Sequence, residues 1–273
     1  MSYIANISHG KDSLKMLDVI KSRGLPLDRI ITVDVWATDT ISADLPEVTE
    51  FKKMMDMYIK GKYGIQVEHL CARDANGDKI TYEKVFYRMR NGIDNRKQIY
   101  GFPTLKGPWC NDRLKMNARK GAVKAGDIEY IGIAFDEPKR HKIISDARIA
   151  PLVDFEIDED LCGLHCMYEG ILSPTYCDSC RDGCWFCHNQ SVGALRALRK
   201  KHPQLWQLLL KWDLDSPVTF KPERTVHDYD RRFEYEEKGF VPRGSKFKWS
   251  MLDDEDGQIT MVFDDAPEEF HYG

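Results

Sequence analysis

The first half of the chain alternates between short apolar segments and segments with helical spacing, and this alternation restricts the fold more than any other feature. Runs rich in β-branched residues predict strands at YIANI, RIITVDVW, IQVEHL and IEYIGIA. Strands separated by helices lie parallel in one sheet, because each helix returns the chain to the same edge. We therefore expect an α/β fold in which helices cover both faces of an open, mostly parallel, Rossmann-like sheet.

Helices are predicted where apolar residues recur with a period near 3.6. In the first half these segments are residues 14–24, 45–64, 81–92 and 112–126. Residues 191–213 predict one or two helices, and residues 225–239 predict another that opens with a capping box. Residues 162–187 lack a regular period and are rich in cysteine, so a Cys-rich and helical C-terminal region is expected after the sheet.

The sequence SHGKDS joins the first predicted strand to the first predicted helix. Ligands of open α/β sheets bind beyond the carboxyl ends of the strands, where a helix N-terminus presents unpaired N–H groups. Gly10 permits close approach of the backbone to a phosphate, and Ser8, Ser13 and Lys11 supply hydroxyl and ammonium donors. Asp12 is suited to hold Mg²⁺ or to cap the helix. The alternative is a simple turn that leads into a capped helix.

SHGKDS resembles the PP-loop, usually Ser-Gly-Gly-x-Asp-Ser, of the adenine nucleotide alpha-hydrolase superfamily. ADLPEVTEF, PWCNDRLK, GIAFDEPKR, APLVDF and RDGCWFC resemble segments of its phosphoadenosine phosphosulfate (PAPS) reductase family, and they occur in family order. The resemblance implies that residues 8–13 bind the phosphates of an adenine nucleotide, PAPS or ATP. His9 stands where the family usually has glycine, a departure expected to narrow the pocket or to add a phosphate donor.

The resemblance implies four further nucleotide-binding residues in these segments, namely Arg113, Lys115, Asp136 and Arg140. Arginine binds phosphate or sulfate groups bidentately, and lysine neutralises them as a point charge. Taken singly, each of these cations is also consistent with a solvated helix or loop face.

Four of the eight cysteines, Cys177, Cys180, Cys184 and Cys187, have the spacing Cys-x2-Cys-x3-Cys-x2-Cys. Two adjacent Cys-x-x-Cys pairs predict a metal centre, and thiolates favour zinc or an iron–sulfur cluster such as 4Fe-4S. The alternative is a set of inert or redox-paired thiols.

The resemblance implies a second ligand set, because iron–sulfur members of the family also use a Cys-Cys pair before the Arg-x-Lys stretch. One cysteine of that pair is replaced here, since the sequence reads Trp109-Cys110. This second set consists of Cys110, Cys184, Cys187 and one of Cys162, Cys166, Cys177 or Cys180.

Two cysteines are candidates for a catalytic nucleophile. Cys162 begins the sequence CGLH, which resembles the family's Glu-Cys-Gly-Leu-His motif, although the family places that motif at the extreme C-terminus and 108 residues follow it here. The alternative for Cys162 is a chance match or a metal ligand. Cys110 precedes a predicted helix that carries Arg113 and Lys115, and both the helix N-terminus and these cations would stabilise its thiolate.

Charge is unevenly distributed along the chain. Residues 251–273 contain eight of the 44 acidic residues and no Lys or Arg, which leaves 36 acidic and 40 basic residues elsewhere. A basic excess suits nucleotides and nucleic acid as ligands, and the basic segment LRALRKKH is a candidate contact for a phosphate backbone. The alternative is a solvated acidic tail that only aids solubility.

The leading function is a PAPS reductase-like enzyme that either reduces the phosphosulfate or cleaves ATP between its α and β phosphates. The runner-up is an ATP-dependent sulfurtransferase that thiolates DNA or RNA. Either enzyme would need a thiol reductant or a sulfur donor as partner. The competing class is a non-catalytic nucleotide-binding module with structural zinc.

The expected division is a PP-loop domain at 1–150, a Cys-rich metal-binding and helical region at 151–250 and an acidic tail at 251–273. No apolar run approaches the ~20 residues of a membrane span, and no secretory signal is visible. We therefore expect a cytoplasmic location and no membrane partner.

Overall fold

The computed structural model describes residues 1–91, 97–104, 108–177 and 183–252. Five parallel strands form one open sheet in the order β3-β2-β1-β6-β7, and β4 and β5 form a separate antiparallel pair. The strands are β1 (Tyr3–Ile7), β2 (Arg29–Val33), β3 (Val67–Leu70), β4 (Met89–Asn91), β5 (Lys97–Ile99), β6 (Ile128–Ile131) and β7 (Arg148–Ile149). The predicted α/β class, with a parallel sheet between helices, is confirmed.

Helices connect the strands and continue after the sheet. They are α1 (Lys11–Ser22), α2 (Pro46–Tyr63), α3 (Tyr82–Phe86), α4 (Asn117–Arg119), α5 (Pro151–Asp154), α6 (Glu159–Tyr168), α7 (Val192–Lys201), α8 (Pro203–Asp215) and α9 (Val226–Glu237). A π-helical turn, Asn111–Met116, runs directly into α4. In the described part of the chain, no helix is both long and apolar enough to cross a membrane.

Strand β1 is central because it pairs with β2 on one side and β6 on the other. Ala5 is aligned with Ile30 and with Tyr130, and all three side chains are buried. The chain proceeds from β1 through β2 to β3 and then crosses to β6 on the opposite side. The reversal of strand order beside β1 creates a crevice, where sheets of this kind bind ligands.

Two predicted helices are shorter than expected. The helix predicted at 81–92 ends at Phe86, and the chain turns into β4, because Gly101 donates its backbone N–H to the Phe86 carbonyl and holds β5 alongside. The helix predicted at 112–126 ends at Arg119. Strand β7 was not predicted, since two residues are too few to show a period.

The described side chains form two buried cores. One contains β1, α1, α2 and α6, and it includes Cys162 and Cys166. The other is aromatic and joins α3, α8 and α9 to Trp185 and Phe186 of the Cys-rich segment. Helix α6 packs on α1, although it lies beyond the domain boundary predicted at residue 150, and that boundary stays a prediction.

Candidate nucleotide and thiol site

A cleft of about 430 Å³ lies beyond the carboxyl ends of β1, β2 and β6. Backbone segments at the ends of these strands form its floor, and the cysteine-rich segment reaches its wall through Cys184. Four cations line it, and they are Lys52, Lys115, Arg119 and Arg140. The cleft therefore suits an anionic ligand in contact with at least one thiol.

The loop between β1 and α1 forms one side of this cleft through Ser8 and Ser13. Ser13 Oγ donates to the Gly10 carbonyl at 2.9 Å and accepts from the Ser8 N–H at 3.3 Å, which closes the loop. Gly10 is the N-cap of α1 and no side chain caps the helix there, so its first N–H groups face the loop unpaired. A Cβ at Gly132 would lie 3.1 Å from the Ser13 backbone, so a larger residue there would require the start of α1 to shift by a few tenths of an ångström.

His9 occupies an unusual position in this loop. Its φ is 61°, in the left-handed region, and its side chain is 1% exposed. His9 Nε2 lies 2.8 Å from Asp56 Oδ1, Asp56 Oδ2 lies 2.9 Å from His69 Nε2, and His69 Nδ1 lies 2.8 Å from Asp34 Oδ2. This chain of contacts connects the loop to α2, to β3 and to the residue that follows β2.

The ionisation of this chain follows from its partners. The hydrogen bond to Asp34 outweighs burial and, with Asp56, raises the pKa of His69 to about 9. Burial raises the pKa of Asp56, but hydrogen bonds from His9 and His69 outweigh it, so the pKa is lowered overall. Asp56 is therefore a carboxylate between two imidazole rings. Nothing in the sequence pattern singled out Asp34, Asp56 or His69.

Lys11 and Asp12 turn towards α6 and are not among the described residues that line the cleft. Lys11 Nζ lies 2.7 Å from Asp12 Oδ1 and 2.8 Å from Glu159 Oε2. Burial lowers the pKa of Lys11, but the two carboxylates outweigh it and raise the pKa overall. Their predicted role in phosphate binding stays a prediction that this arrangement does not support.

The remaining predicted nucleotide ligands divide into two groups. Lys115 and Arg140 line the cleft. Arg113 is exposed on the π-helical turn, and Asp136 accepts a hydrogen bond of 3.1 Å from the Glu159 N–H at the start of α6; the described cleft lining includes neither. Side chains two positions apart on a helical turn do not share a face, so Lys115 lines the cleft while Arg113 does not.

Two cations of the cleft were missed by sequence reasoning. Lys52 lies on α2 and pairs with Asp44 at 2.5 Å. Arg119 ends α4 and contacts Glu129, a buried carboxylate on β6 that also accepts from Asn6 at 2.9 Å. Both cations lie in predicted helices without a recognisable motif, so no pattern distinguished them from solvated side chains.

Cys184 lines the cleft, and the thiols of Cys110 and Cys187 lie within electrostatic range of it. Burial raises the pKa of Cys184 to about 12, while Lys115 acts in the opposite direction and Cys187 and Cys110 add to the increase. Burial, and then Cys187, raise the pKa of Cys110. These mutual effects place the three sulfur atoms and the Lys115 ammonium group within electrostatic range of one another.

The loop after β2 anchors the cysteine-rich segment at this wall. The Trp185 N–H donates to the Ala43 carbonyl at 3.0 Å, and Trp185 Nε1 donates to the Ser42 carbonyl at 2.9 Å. The Cys187 N–H donates to the Cys184 carbonyl at 3.0 Å, which forms the tight turn between the two cysteines. A buried aromatic side chain thus fixes Cys184 in the cleft that Ser8 and Ser13 also line.

The surroundings of the Tyr82 hydroxyl indicate whether a metal centre fits among these thiols. Its hydroxyl is buried and has no hydrogen-bond partner among the described residues. Burial raises the pKa of Tyr82 well above its usual value, and Cys110, Cys184 and Cys187 raise it further. The phenol is therefore a protonated donor within electrostatic range of three thiols, the donor type that a zinc or iron–sulfur centre would use.

The predicted metal ligands are only partly within the described ranges. No group of three or more His, Cys, Asp or Glu side chains within those ranges is already arranged to hold a metal ion. Cys180 and the side chain of Cys177 lie outside the described residues. Cys162 and Cys166 belong to the other core, where burial raises the pKa of both thiols and Asp12 adds to the increase.

The basic helix α7 packs on α9 through two of its arginines. Arg196 Nε lies 2.7 Å from Glu236 Oε2, and Arg199 Nε lies 2.8 Å from Asp230 Oδ1. The predicted contact of α7 with a phosphate backbone is therefore not supported for these two arginines, because both are held in ion pairs.

No family model matches the sequence, and no curated protein matches it. Among solved structures, the chain is similar to the U34-tRNA thiolase NcsA from Methanococcus maripaludis, described with its 4Fe-4S cluster. The two chains are 16% identical, the similarity covers 85% of this chain and 72% of that chain, and the TM-score is 0.39. A similarity at this level carries no argument about the chemistry of this chain.

Proposed function

We propose that this chain is a PP-loop superfamily enzyme that uses ATP to activate an acceptor for sulfur transfer. The observation that carries the proposal is that Cys184 lines the same cleft as Ser8 and Ser13. A thiol at the wall of a phosphate-binding cleft brings sulfur chemistry to the reacting end of a nucleotide, which a purely structural zinc site would not require.

Nucleotide binding is assigned to the loop and to the cations of the cleft. The unpaired N–H groups at the start of α1 and the Ser13 loop would hold the phosphate chain. Lys115 and Arg140 would neutralise the charge that develops on pyrophosphate, because both line the cleft.

The proposed reaction has two steps. An acceptor carbonyl oxygen attacks the α-phosphorus of ATP, the bond between the α-phosphorus and the bridging oxygen breaks, and pyrophosphate leaves. Hydrosulfide then attacks the activated carbon, the carbon–oxygen bond breaks, and AMP leaves while the proton passes to solvent. The product is a thiocarbonyl, and neither step needs an external oxidant or reductant.

Cys110, Cys184 and Cys187 would hold the metal centre, with a fourth position from Cys177, Cys180 or a ligand outside the chain. When bound, an iron–sulfur cluster supplies Lewis-acidic iron that can activate a sulfur donor. Lys115 lies within electrostatic range of Cys184, so it would favour the thiolate form that binds metal.

The acceptor is proposed to be a nucleobase carbonyl in RNA or DNA. Support comes from the excess of basic residues outside 251–273 and from Lys115 at the cleft. Nucleic acid binding depends mainly on such cations, because each neutralised phosphate releases counterions.

Phosphosulfate reduction, the first expectation from the resemblance, needs a thiol that attacks the sulfate sulfur within the cleft. Cys162, the motif candidate, is 0% exposed on α6 beside Asp12 and is not among the residues that line the cleft. Burial disfavours its thiolate, which is the reactive form. These positions support sulfur transfer over phosphosulfate reduction.

The proposal is tested with anaerobically prepared protein, ATP, sodium sulfide and mixed cellular tRNA or DNA. We expect AMP, pyrophosphate and thionucleosides that mass spectrometry detects after digestion. Cys184→Ser should lose metal and thiolation but keep ATP binding, whereas Ser13→Ala should weaken ATP binding about tenfold through loss of the loop hydrogen bonds.

Cys71→Ser is the matched control, since Cys71 is a free, half-exposed cysteine outside the cleft. Sulfite release from PAPS that is lost in Cys162→Ser, with metal and nucleotide binding intact, would instead establish phosphosulfate reduction. Nucleotide binding with zinc and without turnover of either substrate would establish the non-catalytic module.

A further inference from the structure

Two segments of the chain continue from the lining of the cleft onto the exposed surface of the protein. The first is residues 111–120, which comprise the π-helical turn and α4. The second is a 3-10 helix, Pro138–Ile143, which lies between β6 and β7. Lys115 lines the cleft from the first segment, and Arg140 lines it from the second. We call these two segments the rim of the cleft.

The rim is basic, although the chain as a whole carries a formal net charge of −4. Residues 111–120 contain four Lys or Arg and one acidic residue, and residues 138–143 contain three Lys or Arg and no acidic residue. Two of these seven cations are held in ion pairs with glutamates. The other five are exposed and pair with no carboxylate among the described residues, and they are Arg113, Lys115, Lys120, Lys139 and Lys142. Such a group of uncompensated cations favours an anionic partner.

The positions of these five cations indicate how large that partner is. Only Lys115 is among the described residues that line the cleft. The other four belong to the same two segments but lie outside the lining, so a nucleotide confined to the cleft would leave them without a partner. A polyanion that enters the cleft at one point and continues over the rim would use all five.

Each rim segment also presents one exposed apolar side chain to the cleft. Met116 belongs to the first segment and is 40% exposed, and Ile143 belongs to the second and is 42% exposed. Both line the cleft. Apolar side chains contact the faces of bases that have been taken out of a stack. Cations around a cleft that also has apolar walls therefore suit a nucleic acid better than an acidic surface of a protein.

We propose that the rim binds the phosphate backbone of an unpaired nucleic acid segment and that Met116 and Ile143 contact the base that enters the cleft. The inference rests on the proposed function, because it assigns the surface that holds the acceptor. The segment is unpaired because a base inside a duplex cannot bring its carbonyl oxygen to the α-phosphorus of ATP. Helix α7 is not part of this surface, since two of its arginines are paired with α9.

The salt dependence of oligonucleotide binding tests the assignment. Fluorescence anisotropy with the full chain measures the affinity for a labelled single strand of about 12 nucleotides, prepared as RNA and as DNA of the same sequence. The logarithm of the binding constant falls with the logarithm of the salt concentration, with a slope of about 0.7 for each neutralised phosphate of a single strand. Loss of two phosphate contacts should therefore reduce the slope by about 1.4.

Two double variants remove rim cations that lie outside the cleft lining. They are Arg113→Ser with Lys120→Ser, and Lys139→Ser with Lys142→Ser. Each should show the reduced slope and bind the oligonucleotide about tenfold more weakly at physiological salt. Each should keep the wild-type affinity for α,β-methylene-ATP, an analogue that is not cleaved, because none of the four residues is among the described lining of the cleft. Retained binding of the analogue also shows that the variants fold.

Lys200→Ser with Lys211→Ser is the matched control. These exposed lysines lie on α7 and α8, so the same charge is removed away from the rim. Affinity and slope should stay at the wild-type values. Ile143→Ser should weaken oligonucleotide binding about tenfold and leave the slope unchanged, because it removes an apolar contact and no charge.

The outcomes separate the inference from the proposed function. Wild-type slopes in both rim variants, with RNA and with DNA, overturn the inference, and so does an equal loss in the control. A duplex that binds as tightly as the single strands overturns the requirement for an unpaired segment. Wild-type protein that forms thionucleosides while its rim variants bind normally overturns the inference alone. Wild-type protein that binds no α,β-methylene-ATP overturns the proposed function, whatever the rim variants show.

Discussion

At the scale of single residues, we expect Tyr82→Phe to change the free energy of unfolding by an amount that depends on whether metal is bound. Without metal, Tyr82→Phe removes a buried donor that has no partner, so the free energy of unfolding should rise by about 1 kcal/mol. With metal bound, the same change removes a donor to sulfur, and this gain should disappear. Denaturant unfolding of metal-free and metal-loaded protein, followed by circular dichroism under anaerobic conditions, measures both values.

Tyr87→Phe is the control for this prediction. The Tyr87 hydroxyl donates to Asp215 at 2.5 Å, so its removal should lower stability equally in both forms. An equal gain for Tyr82→Phe with and without metal would show that no sulfur centre uses the hydroxyl.

The residues of the cleft show what sequence reasoning can reach at this scale. Ser8 and Ser13 were predicted because their loop follows a strand and resembles the PP-loop, and Lys115 was predicted because PWCNDRLK resembles a segment of the family. Motif spacing does not reveal the partner of a flexible side chain. Lys11 is bound by Glu159, a residue 148 positions away, and only the packing of α6 on α1 reveals that contact.

At the scale of secondary-structure elements, His69 couples the stability of α2, β2 and β3 to pH. Its pKa is raised from 6.5 to about 9 in the folded protein, first through Asp34 and then through Asp56. A raised pKa contributes stability that is complete below pH 6.5 and is lost as the pH rises through about 9. Because His69 is 39% exposed, solvent screening limits the change to about 1 kcal/mol.

Chemical denaturation between pH 6 and 10 measures this slope. His69→Gln and Asp34→Asn should each flatten it, since the first removes the cation and the second removes its strongest partner. A slope that persists unchanged in both variants would assign the pH dependence to another group.

Element boundaries were predicted where the local sequence decides them. The ends of α2 follow from Pro46 at its start and from Gly64, whose φ is 73°. The early end of α3 does not follow from its local sequence, because the Gly101 N–H, fifteen positions later, binds the Phe86 carbonyl and brings β5 alongside. Tertiary packing overrides local preference there.

At the scale of the whole molecule, the site is assembled from segments that are distant in sequence. Residues 8–13 and 110–119 meet residues 184–187 because Trp185 is bound to the loop after β2 and buried in the aromatic core. Sequence analysis recognised each segment by its motif. The resemblance implied that Cys110 joins Cys184 and Cys187, but the separation of Cys162 from them required the fold, because spacing along the chain does not encode which cysteines meet in space.

The charge distribution of the whole chain yields the last prediction. Removal of residues 253–273 deletes eight acidic residues and no Lys or Arg, so the formal net charge changes from −4 to +4. An acidic segment competes with anionic ligands for basic surfaces within the ~8 Å Debye length of physiological salt. The truncated chain should bind single-stranded RNA more tightly and elute from heparin at higher salt.

A full-length variant with the eight carboxylates changed to amides should behave like the truncated chain, because charge and not length is the cause. Equal elution of all three proteins would show that residues 253–273 do not compete with anionic ligands. The excess of basic residues elsewhere would then not support a nucleic acid as the acceptor.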